Sequence, residues 1–428
     1  MRVILERDKP LILYGPIKAE ILKGAIEAFG AILKKGEKVE VEEYFAVPIN
    51  AIEDSKLDIN FGEGSFISQP AEDPIPKSWR EAVDKISKID KKPLRVTVIG
   101  DIDTGKTGFI TFLVNKLFQR GLKVFVLDTD TGQSEIGPPT TIGLGIIDRP
   151  IFRLSKARFI DGFFIGSTTP ADVLDRMITG SVRLLRKAEN LGADVIAINT
   201  TGWVYDRNGR ELKISKILAI DPSVIVFTEE EEGEMNHLKR AFDKLGIEII
   251  SVEKPKYLRE RSRENRRLIR ENKYKLEFQN AKEIEISLDD VSILYGFLGS
   301  GEPLDEEAMI KIEGIIRGKI LYAEKTGITL LLVTHKRISR EEKIDLRHAL
   351  SVRDVIVVNP DHLKNLLIGI YDKSLNFLGL GIITDYDLSN RILKVFTRVE
   401  GEISAIAFGH IKLDANGKEI EYLYPWSC

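Results

Sequence analysis

Leu94-Arg95-Val96-Thr97-Val98-Ile99-Gly100-Asp101-Ile102-Asp103-Thr104-Gly105-Lys106-Thr107-Gly108-Phe109-Ile110-Thr111-Phe112-Leu113-Val114 reads as a strand, a glycine-bounded turn and the start of a helix. The turn is G-x-x-x-x-G-K-T, a phosphate cradle when a strand precedes it and a helix follows. Glycine at both ends lets the backbone curl until its N–H groups face phosphate oxygens, and the helix N-terminus adds partial positive charge. In that geometry Lys106 reaches the β- and γ-phosphates of ATP and the Thr107 hydroxyl ligates Mg2+ or another divalent cation. Gly100, Asp103, Thr104, Gly105, Lys106, Thr107 and Gly108 are therefore the expected nucleotide-binding residues. A chance glycine-rich turn accounts for the motif but not for the strand and helix on either side of it.

Outward from the cradle the pattern repeats. Val124 to Leu127 and Val195 to Ile198 are uninterrupted apolar runs separated by helical stretches, as in a parallel sheet covered on both faces. The expected fold class is α/β, with a central P-loop NTPase domain on a mainly parallel sheet. Before it, runs such as Val39 to Val47 point to a small N-terminal β domain. Three prolines within residues 70–76 mark a linker, and a helix is expected from Ser78 as N-cap to about Asp90. From about Glu283 short strands return around helical pieces, with a turn signal at Asp414-Ala415-Asn416-Gly417. The expected domains are 1–76, 77–282 and a smaller mixed α/β domain over 283–428.

A chain of 428 residues exceeds what a single core ordinarily serves, in keeping with that division. Lys and Arg number 63 against 66 Asp and Glu, a net charge of −3, so any nucleic-acid contact has to be local. The one cysteine, Cys428, excludes an intrachain disulfide and a cysteine-based zinc site. No apolar run approaches the roughly 20 residues a membrane helix needs, and the charged N-terminus is unlike a secretory signal, so a cytoplasmic location is expected.

Four further stretches carry chemistry. Asp128-Thr129-Asp130-Thr131-Gly132-Gln133 follows the strand ending at Leu127. Asp130 is read as general base and magnesium-shell ligand, Asp128 as its support, and Gln133 as a group that orients phosphate or hydroxyl. An acidic loop capping the next element is the plainer alternative. Gly166-Ser167-Thr168-Thr169-Pro170 offers hydroxyls to a substrate backbone, or equally turn chemistry. Thr200-Thr201-Gly202-Trp203 ends the strand from Asp194, and its indole offers a stacking face for a base or simply joins the core. Between Lys254 and Lys275 ten cations cluster, with Arg263, Arg266, Arg267 and Arg270 on one helical face. A solvated helix, balanced by Glu260, Glu264 and Glu271, is the bland reading, and an arginine lid over the transferring phosphoryl is the sharp one.

Taken in order, the cradle, Asp-Thr-Asp-Thr-Gly-Gln, Gly-Ser-Thr-Thr-Pro, Thr-Thr-Gly-Trp and Arg-Ser-Arg-Glu-Asn-Arg-Arg resemble one family, the RNA 5′-hydroxyl polynucleotide kinases related to the kinase subunit of the eukaryotic pre-mRNA cleavage complex. The resemblance covers the central domain by motif and the flanking domains by arrangement. It implies transfer of the ATP γ-phosphoryl to the 5′-OH of single-stranded RNA, with DNA left open as an acceptor. It also implies that Thr200, Gly202 and Trp203 clasp the RNA end, that Arg261 and Arg266 are lid arginines, that Asp130 activates the hydroxyl, and that Asp128, Gln133, Thr168 and Thr169 face substrate. Asp101 and Asp103 depart from the pattern by adding negative charge inside the cradle. The rival class is a nucleotide-binding assembly factor without catalysis, against which the lysine, the aspartate pair and the arginine lid all argue. No protein partner is legible.

Overall fold

The structure is a computed structural model that describes residues 1–258 and 262–423. Two compact units divide the chain: residues 1–137, 142–162 and 169–266 form the first, and residues 138–141, 163–168 and 267 onward the second.

In the first unit a seven-stranded sheet runs in the order 158–164, 141–146, 124–129, 195–200, 94–100, 224–229 and 248–253. From 124–129 through 248–253 neighbouring strands are parallel, whereas 124–129 pairs antiparallel with 141–146. The α/β class with a mainly parallel sheet is thus what the chain adopts. One strand, Val195–Thr200, lies between the P-loop strand Leu94–Gly100 and the strand Val124–Thr129, so both loops expected to act on substrate emerge beside the cradle. Phe109, Ile110, Phe112, Leu113, Val114 and Leu117 of the helix Lys106–Phe118 are all buried. A helix apolar on nearly every side belongs inside a core.

Residues 1–68 fold as two antiparallel sheets whose apolar faces join the same core as the P-loop helix. Asn115 on that helix sits on the seam between them. Its amide donates to the carbonyls of Phe29 (2.8 Å) and Ile151 (2.7 Å) and accepts from the Ile151 N–H (3.0 Å). The stretch Val39 to Val47, read as short-strand sequence, divides into Lys38–Val41 in one sheet and the start of Ala46–Ala51 in the other. The turn between them has Tyr44 at φ +66°, a left-handed value that ends a strand and redirects the chain.

The helix expected from Ser78 begins one residue earlier and ends sooner, at Lys77–Ile86, with Pro76 in the capping position at φ −55° and ψ 142°. Ser78 is inside it. Its hydroxyl donates to the Glu253 carboxylate (2.9 Å) and accepts from the Glu253 N–H (3.1 Å). Trp79, Ala82, Val83 and Ile86 form the buried stripe.

The second unit carries a mostly antiparallel sheet of 282–287, 392–397, 377–387, 366–371, 405–413 and 292–294, to which 419–422 adds at 405–413. A four-stranded sheet and the helices Glu306–Ile316 and Arg340–Leu350 complete it; one apolar cluster joins the large sheet to the four-stranded one, and a second packs the four-stranded sheet against the two helices. Mixed α/β character is observed here as expected. The turn signal lands where it should: the Gly417 N–H donates to the Asp414 carbonyl at 3.0 Å, with Gly417 at φ +81°. Among the described residues no helix is long and apolar enough to cross a membrane.

Candidate active site

The P-loop opens onto a cleft whose empty volume, counting solvent at its mouth, is ≈970 Å³. Asp103, Gly105, Lys106, Thr107, Gly108, Asp130, Gln133 and Gly202 all line it, which brings together residues from three separate loops. The backbone is shaped for close approach. Gly105 sits at φ +95°, and a Cβ there would meet Pro255 Cδ at 2.7 Å. A Cβ on Gly202 would lie 2.7 Å from the Ile102 backbone nitrogen, so the Thr-Thr-Gly-Trp turn rests directly on the cradle. Gly100 and Thr104 lie beneath the cleft: the Thr104 hydroxyl donates to the Asp101 carbonyl (2.8 Å) and meets the Thr228 hydroxyl at 2.7 Å.

Lys106 is 6% exposed and its ammonium donates to the Asp101 carbonyl at 2.5 Å. Burial pulls its pKa below the usual lysine range, while the carboxylates of Asp130, Asp101 and Asp103 push it the other way. Those three negative charges therefore help keep a desolvated lysine cationic for phosphate.

The two loop carboxylates have different jobs. Asp130 is half-buried, lines the cleft, and has one oxygen taken by the N–H groups of Gly132 (3.2 Å) and Gln133 (3.3 Å). Asp128 is fully buried and does not line the cleft. It accepts from the N–H groups of Asp130, Glu135 and Ile136 and from the Asn199 amide at 2.9 Å. Burial first, and the charge of Asp130 second, raise the Asp128 carboxyl to about 6. Asp128 shapes the loop that presents Asp130.

Thr200 is buried too, with its hydroxyl donating to the Val98 carbonyl at 2.8 Å inside the sheet. Trp203 is half-buried in the loop before the helix Arg207–Ile220, and its indole N–H donates to the N-capping Asp206 carboxylate. Thr169 is half-buried in the first unit, outside the cleft lining. Thr168 belongs to the second unit and lines a small recess there with Arg267, Glu419 and Tyr422.

The arginine face divides. Arg266 pairs with Asp103 of the cradle at 2.7 Å, both side chains largely buried. Arg267 pairs with Glu271 (2.9 Å) and Arg270 with Glu419 (2.7 Å), within the second unit, so these two cations already have acidic partners. Arg261 lies outside the described residues.

Several residues of the site escape a reading along the chain. Phe29, Tyr44, Phe45 and Ala46 of the N-terminal sheets, with Phe152, Tyr257 and Leu258, give the cleft an apolar wall. The Tyr257 hydroxyl is buried without a hydrogen-bond partner among the described residues. Arg153 stacks 3.7 Å over the Phe45 ring, pairs with Glu135 at 2.7 Å and reaches the Glu42 carboxylate. Lys213 and Lys216 are each 1% exposed on the inner face of the helix Arg207–Ile220. Their one local signal is position: both fall within the apolar stripe Leu212, Ile217, Ile220.

Comparison with known proteins follows the same lines. Residues 100–280 match the family described as mRNA cleavage and polyadenylation factor CLP1 P-loop. A polyribonucleotide 5′-hydroxyl-kinase of Methanocaldococcus jannaschii is 33% identical over 355 residues, spanning 82% of this chain and 95% of that protein. One from Pyrococcus furiosus is 33% identical over 354 residues, with 82% and 96% covered. A CLP1 homolog of Nematostella vectensis is 23% identical over 403 residues. Clp1p, solved in complex with Pcf11p, shares the fold at a TM-score of 0.65 and 14% identity, with 96% of this chain and 97% of that one covered. The chain therefore belongs to the CLP1 P-loop family, alongside the archaeal proteins named polyribonucleotide 5′-hydroxyl-kinases.

Proposed function

We infer that this protein transfers the γ-phosphoryl of ATP to the 5′-hydroxyl of single-stranded RNA, with DNA left open as an acceptor, in the cytoplasm. The observation that carries the reading is Asp130: its carboxylate faces the same cleft as Lys106 and Thr107, on a loop pinned by the buried Asp128. A general base for an acceptor hydroxyl needs a carboxylate held at that place. Lys106 and the loop amides hold phosphate, Asp130 accepts the proton of the attacking hydroxyl, and Trp203 stacks the terminal base. Arg266 leaves Asp103 for the transferring phosphoryl, with Arg261 as its companion. In this reading Gln133 orients the hydroxyl or phosphate beside Asp130, and Gly202 sets the floor of the clasp.

The Thr107 hydroxyl and the Asp130 carboxylate are hard oxygen donors on the cleft wall, and the described residues contain no cluster of His, Cys, Asp and Glu fit to cage a metal. That donor set suits Mg2+ held mainly by phosphate and water. When bound, the ion neutralises charge on the β- and γ-oxygens.

The test is incubation of γ-labelled ATP with 5′-OH oligoribonucleotides and Mg2+, using Lys106→Ala and Asp130→Asn as controls. Transfer by the wild type, reduced about 10²- to 10⁴-fold in Asp130→Asn while ATP still binds, is expected for a lost general base. ATP binding without transfer by the wild type would leave the assembly-factor reading in its place.

A further inference from the structure

The two buried lysines of the helix Arg207–Ile220 call for an explanation, because each occupies a core position where an apolar side chain would pack at no desolvation cost. Their partners supply one. The Lys213 ammonium donates to the carbonyl (2.5 Å) and hydroxyl (2.9 Å) of Thr201. The Lys216 ammonium donates to the hydroxyl of Thr129 at 2.9 Å, and that hydroxyl donates to the Asn199 carbonyl at 2.7 Å. Among the described residues neither lysine has a carboxylate within ion-pair distance.

Thr201 immediately precedes Gly202 and Trp203, and Thr129 immediately precedes Asp130. Three residues apart on one rigid helix, the lysines lie on one face and reach different loops. Gly202 in turn rests against the Ile102 backbone of the cradle. Helix, clasp loop, base loop and phosphate cradle thus form one connected chain of close contacts.

We propose that Lys213 and Lys216 are positioning residues for the acceptor, a two-pronged support that sets the clasp turn and the base-bearing loop at a fixed separation. Lys213 holds the turn on which the terminal nucleotide lies, and Lys216 holds the strand end from which Asp130 projects. The proposal rests on the kinase reading of the site and deepens it. Neither lysine lines the cleft, and both reach loops that carry acceptor-side residues, so their effect falls on the 5′-hydroxyl substrate. Two buried ammonium groups are a stability cost tolerated where function needs fixed geometry.

The experiment compares wild type, Lys213→Met and Lys216→Met in the labelled-ATP assay, with oligoribonucleotide and ATP varied separately and melting temperature recorded. Methionine matches the length and suits the apolar surroundings, so both variants are expected to melt no lower than wild type. Lys213→Met should raise the KM for the oligonucleotide between about ten- and a hundredfold, the scale of an ångström misplacement, with the KM for ATP little changed. Lys216→Met should lower kcat by a similar factor. If Lys213→Met fails to fold, Lys213→Gln, whose neutral donor sits on a shorter side chain, takes its place, with a smaller rise in the acceptor KM expected. Unchanged acceptor KM and kcat in variants of a wild type that does transfer phosphate overturn this proposal alone. Equal changes for both substrates, or losses that track a lower melting temperature, overturn it as well by making the lysines merely structural. A wild type that transfers no phosphate to any 5′-OH oligonucleotide removes the kinase reading and this one together.

Discussion

Replacing Lys216 by methionine should stabilise the first unit at neutral pH, and the size of the effect can be worked out from where the ammonium sits. Burial is the main reason its pKa falls from 10.5 to about 8; the charges of Asp130 and Asp128 act in the opposite direction. At about 1.4 kcal/mol per pH unit, that fall corresponds to roughly 3 kcal/mol of unfavourable free energy when the group is charged in both folded and unfolded chains. Methionine removes this cost and also the hydrogen bond to Thr129, worth about 1 kcal/mol net. Thr129 keeps its bond to the Asn199 carbonyl, so its hydroxyl is not orphaned. The expected gain is about 2 kcal/mol at pH 7, or roughly 4–8 °C for a unit of this size. Its pH dependence is the sharper signature. Between about 8 and 10.5 the folded lysine has lost its proton while the unfolded one retains it, so wild-type stability climbs with pH across that window. The variant has nothing to titrate there, and its advantage should shrink towards pH 10.5. Calorimetric melting of both proteins at pH 7 and pH 10 checks this. A variant that melts lower than wild type at pH 7, or an advantage that is the same at both pH values, refutes the assignment of Lys216 as a desolvated cation.

Two other perturbations follow from distances in the cleft. Arg266→Ala removes the partner of Asp103 and a lid cation; phosphoryl transfer should fall by up to about a thousandfold with ATP affinity less affected, as read by single-turnover kinetics. Gly202→Ala places a Cβ 2.5 Å from Ile102 Cγ1 and 2.7 Å from the Ile102 nitrogen, which forces the clasp turn off the cradle. Its activity should drop at least about tenfold with small loss of global stability, and an active Gly202→Ala enzyme with wild-type kinetics would show that the contact has no role.

The cradle was legible from the chain because everything it needs is consecutive: an apolar strand, two glycines free of side-chain constraint, and a helix N-terminus. Residues 94–118 specify their own geometry. The clasp, too, ends a strand readable by composition, and Asp130 stands two residues past another. Asp128 and Asp130 look equivalent as letters, and it is the structure that shows how one supports the other. Asp128 still belongs to the strand Val124–Thr129 and is held under Glu135 and Asn199, whereas Asp130 lies one residue past the strand end and stands at the opening. The arginine helix was read as one face of four cations, yet acidic partners more than a hundred residues away in sequence claim Arg266 and Arg270. Nothing local could announce Asp103 and Glu419 as those partners.

What the amino-acid sequence determined by itself is the phosphate-binding turn, the α/β class and the order of the loops that surround the nucleotide, since short-range backbone preference and apolar periodicity act over a few residues. Tertiary packing alone decided the rest. It brought Tyr44 and Phe45 from the N-terminal sheets to the cleft wall, set Arg153 between Phe45 and Glu135, and drove Lys213 and Lys216 beneath the two substrate loops. Those placements depend on which surfaces are removed from water together. Lysine looks the same in the sequence whether it ends in solvent or under a catalytic loop, and only the folded chain makes the difference.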